Sequence, residues 1–329
     1  MYKKNIKSLV GRSFKRMLFF FRTVNNFKFI FLYHRVVEEL PDGIHDPAMF
    51  VTMRTFEEHI RELKKSFEIV PLEMIVHNGD KSRRLCAITF DDGWSDNYDY
   101  AFPILKKYKV PATIFLTANL ISTKKTFWFE NLLNIAKKSM EQGRQIEFIE
   151  YFRKLVPSWK ARGLEIEQLY ELTDALKKLP SGDLDGIMHE ACQELGISLD
   201  SNSDIMNWDQ IREMSEHGVM FGSHGLNHCI LTRLDTKNKT HEIVDSLTIL
   251  KKAGIAVTPF FSYPNGDWDD EALDIVRNAG YKGAVTTRLG LVDSETNPHR
   301  INRIGVHEDI SSSSSLLWFR IAQAALGRS

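Results

Sequence analysis

The 329 residues carry 43 Lys+Arg against 43 Asp+Glu, a formal net charge of zero, with 43% hydrophobic and 26% charged residues. That composition predicts a soluble globular chain; it excludes intrinsic disorder, which needs low hydrophobicity and high net charge, and it offers no general field for nucleic acid. Charge-free stretches such as residues 110–123 fall short of a ~20-residue membrane span, and three cysteines (Cys86, Cys192, Cys229) make neither a disulfide framework nor a zinc cage, which fits a reducing, cytoplasmic setting.

The first segment, residues 1–28, is basic, and no acid precedes Glu38. Its apolar cluster at 17–21 is shorter than the ~7–15 residues of a signal-peptide core. Two readings stand: a solvated basic helix, or an interfacial anchor whose Lys and Arg meet anionic lipid while Leu18, Phe19 and Phe20 enter it. The second would place the protein peripherally on the inner face of a membrane.

Beyond this arm, strands are predicted at 29–33, 68–70, 86–90, 113–116, 219–223, 259–262 and 283–286. Amphipathic helices fall between several of them, at 55–66, 97–108, 208–217, 236–253 and 269–279. Ala253-Gly254 and Ala279-Gly280 supply the left-handed residue that ends a helix. Buried strands alternating with helices mean a parallel sheet, and seven strands are enough to close an α/β barrel, an open sheet being the alternative. Residues 119–207 break the alternation with helical segments at 130–140, 145–155, 166–179 and 184–195, so they read as a helical insertion. The barrel is expected to end at 306, followed at 307–329 by a serine-rich linker and an apolar helix.

The informative polar residues follow the strand ends, where parallel α/β folds place their chemistry. They are His34-Arg35, Asp91-Asp92-Gly93, His224 to His228, and Tyr263-Pro264-Asn265-Gly266. Adjacent carboxylates repel unless a cation or a shared proton relieves them. His224 and His228, four apart, would meet if their segment formed a helical turn. Gly225 stands where the zincin motif has its glutamate, so this is not that motif. Two imidazoles and one carboxylate make a catalytic metal site with open positions. The spare aspartate would be the base beside water whose pKa the ion lowers.

Thr89-Phe90-Asp91-Asp92-Gly93, followed by Ser223-His224-x-x-x-His228, closely resembles the polysaccharide deacetylases with a NodB-type domain. Tyr33-His34-Arg35-Val36, Phe56-Glu57-Glu58-His59, Ser262-Tyr263-Pro264-Asn265-Gly266 and Arg303-Ile304 agree with one branch of that family. The resemblance covers residues 29–306 outside the insertion. It implies a deformed (β/α) barrel and metal-dependent removal of N-acetyl groups from an amino sugar, in a polysaccharide or a lipid-linked glycan. It gives Asp91 as general base, His34 as catalytic acid (His307 being the next choice), and Asp92, His224 and His228 as ligands of a divalent metal, zinc by default, with cobalt or nickel also fitting. Tyr263, Pro264, Asn265 and Gly266 form the loop whose backbone binds the oxyanion, and Arg303 is grouped with them on the substrate side.

Two positions depart from the family. Gly225 replaces a Ser or Thr that steadies the metal loop, and Ser262 replaces an arginine that holds the catalytic aspartate, a part that Arg303 or Arg35 would have to take. The competing readings are an amidohydrolase acting on a formyl or ureide group and a non-catalytic carbohydrate-binding protein on the same scaffold. Phe127, Trp128 and Phe129 either stack on sugar rings or pack the insertion.

Overall fold

Apolar strands, most of them followed by a helix, build one parallel sheet in the computed structural model, which describes residues 7–8, 10–15, 28–77, 83–179, 183–199 and 204–327. The strands are β1 (Lys28–Tyr33), β2 (Arg35–Val37), β3 (Phe50–Thr52), β4 (Glu68–Ile69), β5 (Leu85–Phe90), β6 (Thr113–Leu116), β7 (Met220–Ser223), β8 (Val257–Ser262), β9 (Gly283–Val285) and β10 (Ile304–Gly305). The main sheet runs β10-β1-β5-β6-β7-β8-β9, with β4 also on β5, while β2 and β3 pair apart from it. Ile301 bridges in parallel to Val285 of β9, and β10 pairs with Phe31 and Leu32 of β1. The segment 301–305 thus spans from one sheet edge to the other and curls the sheet into the expected deformed barrel. The seven expected strands lie within two residues of those observed; β2, β3 and β10 are too short to show a period.

Side chains alternate across each strand. Ile30, Leu85, Ala87, Phe115, Phe260, Val285 and Ile301 share one cluster inside the barrel. Phe29, Phe31, Cys86, Ile88, Phe90 and Phe221 point outward to the helices. Counting on in twos places Leu32 and His34, Thr89 and Asp91, and Arg303 on the inner side, towards the carboxyl ends of the strands.

The chain divides into two compact units, residues 41–46 with 123–204 forming the second. Residues 123–204 lie within the span read as a helical insertion, and residues 41–46 join them from outside it. Its helices Trp128–Glu141, Gln145–Leu155, Ile166–Leu176 and Leu184–Glu194 enclose their own core, including Leu132, Phe148, Phe152, Trp159 and Leu172. Within it Phe127 is buried and stacks on Phe129, with centroids 5.0 Å apart.

The expected C-terminal boundary is corrected. Helix Ser314–Ala325 buries Leu317, Trp318, Ile321 and Ala322 in the same core as the barrel strands. The serines are no linker: Ser311 ends the short helix Glu308–Ser311, its carbonyl accepts from His59, and Ser314 N–H donates to Glu58. Polar side chains of the Met53–Ser66 helix claim the serine backbone, so the run becomes a joint between two helices. At the other end residues 10–15 are helical, Phe14 joins this core, and Lys15 pairs with Glu62. The apolar cluster at 17–21 lies outside the described residues. No helix among the described residues is long and apolar enough to cross a membrane.

Candidate active site

The register of β1 on β5 sets Tyr33 beside Phe90, and Asp91 N–H donates to Tyr33 O. His34 and Asp91 therefore leave neighbouring strand ends side by side. After Asp91 the chain reverses sharply: Gly93 N–H returns to Asp91 O at 3.0 Å across Asp92, whose φ is +78°. A positive φ at a non-glycine costs about 1–3 kcal/mol and is found where surrounding contacts impose it. Here the turn aims two adjacent carboxylates at different partners.

Asp91 faces Arg303. The guanidinium donates to Asp91 Oδ1 at 2.8 Å and Oδ2 at 2.6 Å. It also donates to Thr286 O, Thr89 Oγ1 and Ser262 Oγ, so its whole fork is occupied. Ser262 Oγ–H in turn donates to Asp91 Oδ2 at 3.1 Å. Burial alone would raise the Asp91 carboxyl; the Arg303 charge, then that of His224, outweighs it and holds the pKa below the usual range. Arg303 is fully buried, which corrects its grouping with substrate-binding residues: it is the arginine that the Ser262 departure called for. Arg35 is engaged elsewhere, with Asp96.

Asp92 faces the histidines. Its Oδ1 lies 3.4 Å from Nε2 of both His224 and His228, and its Oδ2 accepts from the Trp94 indole at 2.8 Å. Burial opposes ionisation of Asp92, but the bonds from His224 and His228 prevail and keep its pKa well below the ordinary range. Burial lowers both imidazoles; the carboxylates reverse this for His224, which ends raised, whereas His228 stays lowered. His224 Nδ1 donates to Ser262 O at 2.8 Å, which leaves Nε2 as the ring nitrogen facing Asp92.

The expected helical turn between the histidines is not formed. Residues 224–228 are an irregular loop, with Gly225 at φ +83° and His228 at φ +60°, and the two rings still come within 4.8 Å of each other. Ligand atoms of Asp92, His224 and His228 all lie within 4.8 Å of one another, a convergence found nowhere else among the described residues. One buried and one half-buried imidazole turned towards one ionised carboxylate fit a divalent metal with N and O ligands. His224 Nε2 is also 3.9 Å from Asp91 Oδ2, so Asp91 borders this cluster.

His34 is partly exposed and leaves β1 beside the strand end that carries Asp91. Its carbonyl accepts from the Asn97 amide, and the next residue but one, Val36, donates to Asp96. His307 pairs with Asp309.

The loop after β8 narrows the oxyanion expectation. Tyr263 N–H donates to Val285 O, Gly266 N–H to Tyr263 O, and Pro264 has no N–H. The buried Tyr263 hydroxyl donates to His299 O. The Tyr263 and Gly266 amides are thus engaged within the fold, and Asn265 between them is held at φ +61°.

Sequence reasoning missed Glu242. This buried side chain accepts from the Leu226 and Asn227 amides, inside the histidine loop. Its helix buries Lys239, Glu242, Ile243, Ser246, Leu247 and Leu250. A glutamate on the apolar stripe of an amphipathic helix was the available signal.

The chain matches the family model described as polysaccharide deacetylase over residues 78–284. A putative polysaccharide deacetylase of Bacillus subtilis is 23% identical over 271 residues, 81% of this chain and 69% of that protein. The poly-beta-1,6-N-acetyl-D-glucosamine N-deacetylase of Staphylococcus epidermidis is 26% identical over 182 residues, 52% of this chain and 60% of that protein. Among solved structures, a Streptococcus pyogenes deacetylase in complex with acetate superposes with TM-score 0.58 at 19% identity, covering 89% of this chain and 97% of that one. The TFDDG turn, the paired histidines and the curled parallel sheet thus agree with the family match, and the chain belongs to the polysaccharide deacetylase family.

Proposed function

We propose that the protein hydrolyses the N-acetyl group of an amino sugar within a polysaccharide or a lipid-linked glycan. The carrying observation is that Asp92, His224 and His228 converge beside an Asp91 held ionised by Arg303. Zinc, or cobalt or nickel, held by those three residues would supply Lewis-acid polarisation of the carbonyl and lower the pKa of water.

Asp91 takes the proton of the attacking water, and its ionised state at neutral pH suits it to do so. Arg303, bonded to both oxygens of Asp91, keeps the carboxylate from turning towards the ligands. The Asn265 amide is the group assigned to the developing oxyanion. His34, protonated, gives its proton to the sugar nitrogen as the C–N bond breaks, leaving acetate and a free amine. A non-catalytic reading drew on Gly225 and Ser262; the bonds of Arg303 to Asp91 and of the Glu242 carboxylate to the histidine loop favour the catalytic one.

The polymer named for the Staphylococcus epidermidis relative makes N-acetylglucosamine oligomers the first substrates to try. Acetate release from such oligomers by the wild type, and its loss in Asp91→Asn, tests the reading. Membrane contact rests on the sequence of residues 1–28, each basic residue near an anionic surface contributing ~1 kcal/mol. Co-sedimentation with phosphatidylserine vesicles at low salt, absent after removal of residues 1–28, is the expected result; equal sedimentation of both forms would end the idea.

A further inference from the structure

The loop that carries His224 and His228 cannot hold itself. With Gly225 and His228 both at positive φ it has no helical hydrogen bonds, so its amides and carbonyls need outside partners. On one side Ala118 and Asn119 N–H donate to Gly225 O and Leu226 O. On the other, Glu242 Oε2 accepts from Leu226 N–H and Asn227 N–H, each at 2.9 Å, and Oε1 accepts from the Asn227 side chain at 2.6 Å. The Asn227 amide is itself fixed by Asn119, which donates to its Oδ1 at 2.8 Å.

The carboxylate is 3% exposed and arrives from a helix that supplies no ligand. Gly225 is matched to it twice over: the φ of +83° favours glycine, and a Cβ there would sit 3.0 Å from Glu242 Oε2. A larger residue would press on the carboxylate that the two amides hold. His224 does not depend on this arrangement, since its backbone N–H donates to Leu116 O and its ring to Ser262 O. His228 follows directly on the two amides that Glu242 holds.

We infer that Glu242 is a positioning residue for the metal centre, acting through the Leu226–Asn227 backbone to hold His228 against Asp92. The inference rests on the metal reading of Asp92, His224 and His228. It assigns to a buried carboxylate, paired with Gly225, the steadying part that a side chain following the first histidine plays elsewhere in the family.

The test is the zinc dissociation constant of the full chain, measured by competition with a chromophoric chelator. Glu242→Ala is expected to weaken zinc by about 10–100-fold, the usual effect of removing an outer partner of a metal ligand. Glu242→Gln, whose one oxygen can still accept both amides, is expected to recover most of that loss. The visible absorption bands of the cobalt-loaded protein should shift in Glu242→Ala and return in Glu242→Gln. In a His228→Ala background, Glu242→Ala should weaken zinc no further, because its effect passes through the missing ring. Should Glu242→Ala fail to fold, Glu242→Asp replaces it: the shorter carboxylate cannot span to both amides and should show the same loss.

A dissociation constant unchanged by these variants would overturn the inference, and so would an equal further loss in the His228→Ala background. A wild-type protein that binds no zinc, cobalt or nickel would instead overturn the metal reading itself.

Discussion

Arg303 grips Asp91 at two points, 2.8 Å and 2.6 Å, with neither side chain reaching solvent. The pair links the segment that closes the barrel to the strand end that carries the presumed base. Breaking a buried pair from one side leaves an uncompensated charge and costs about 3–5 kcal/mol. Arg303→Met should therefore unfold at lower denaturant by that amount, and its turnover should fall further than Ser262→Ala lowers it. A variant with wild-type stability and turnover would show the pair to be dispensable.

Asp91→Asn should keep its metal and lose about 10²–10⁴-fold in kcat, the span of general base catalysis. His34→Ala should slow turnover with little change in substrate affinity. Metal content read beside the kinetics separates these losses from a collapsed ligand set. Full activity in His34→Ala would move the proton donor to another residue.

His59 gives a pH dependence. Its Nε2–H donates to Ser311 O at 2.7 Å, and Nδ1 meets the Tyr33 hydroxyl at 3.1 Å. Burial holds its pKa below the ordinary value. Unfolded histidine titrates near ~6.5, so below that pH the unfolded chain binds the extra proton and stability falls as pH drops. Between pH 7 and 5 the melting temperature of wild type should fall more steeply than that of His59→Gln. Parallel slopes would contradict this.

Trp318 stacks on Phe67 at 5.8 Å, and its indole N–H donates to Glu62 at 3.0 Å. Trp318→Ala should cost about 3–5 kcal/mol in a denaturant titration. A loss under about 1 kcal/mol, the size of an ordinary surface substitution, would place the C-terminal helix outside the core.

The strands and the reacting groups were legible because they obey local rules. Buried strands are apolar runs, and Asp91, Asp92, His224 and His228 follow strand ends in motifs that a family shares. What stayed hidden depends on closure. Arg303 and Arg35 are equal candidates to hold Asp91 until the 301–305 segment spans from β9 to β1 and turns Arg303 inward. Glu242 is an ordinary helix charge until the loop of residues 224–228 fails to be a helix and needs an acceptor. The C-terminal helix was read as peripheral because its partners, Phe67 and Glu62, lie some 250 residues earlier in the chain.

The central claim is tested most directly by acetate release from N-acetylglucosamine oligomers, followed as zinc is removed and returned. Stripping the metal should abolish release, one equivalent of zinc should restore it in the wild type but not in Asp92→Ala, and each acetate should be matched by one new free amine. Acetate release that persists undiminished in the stripped protein or in Asp92→Ala would contradict the account.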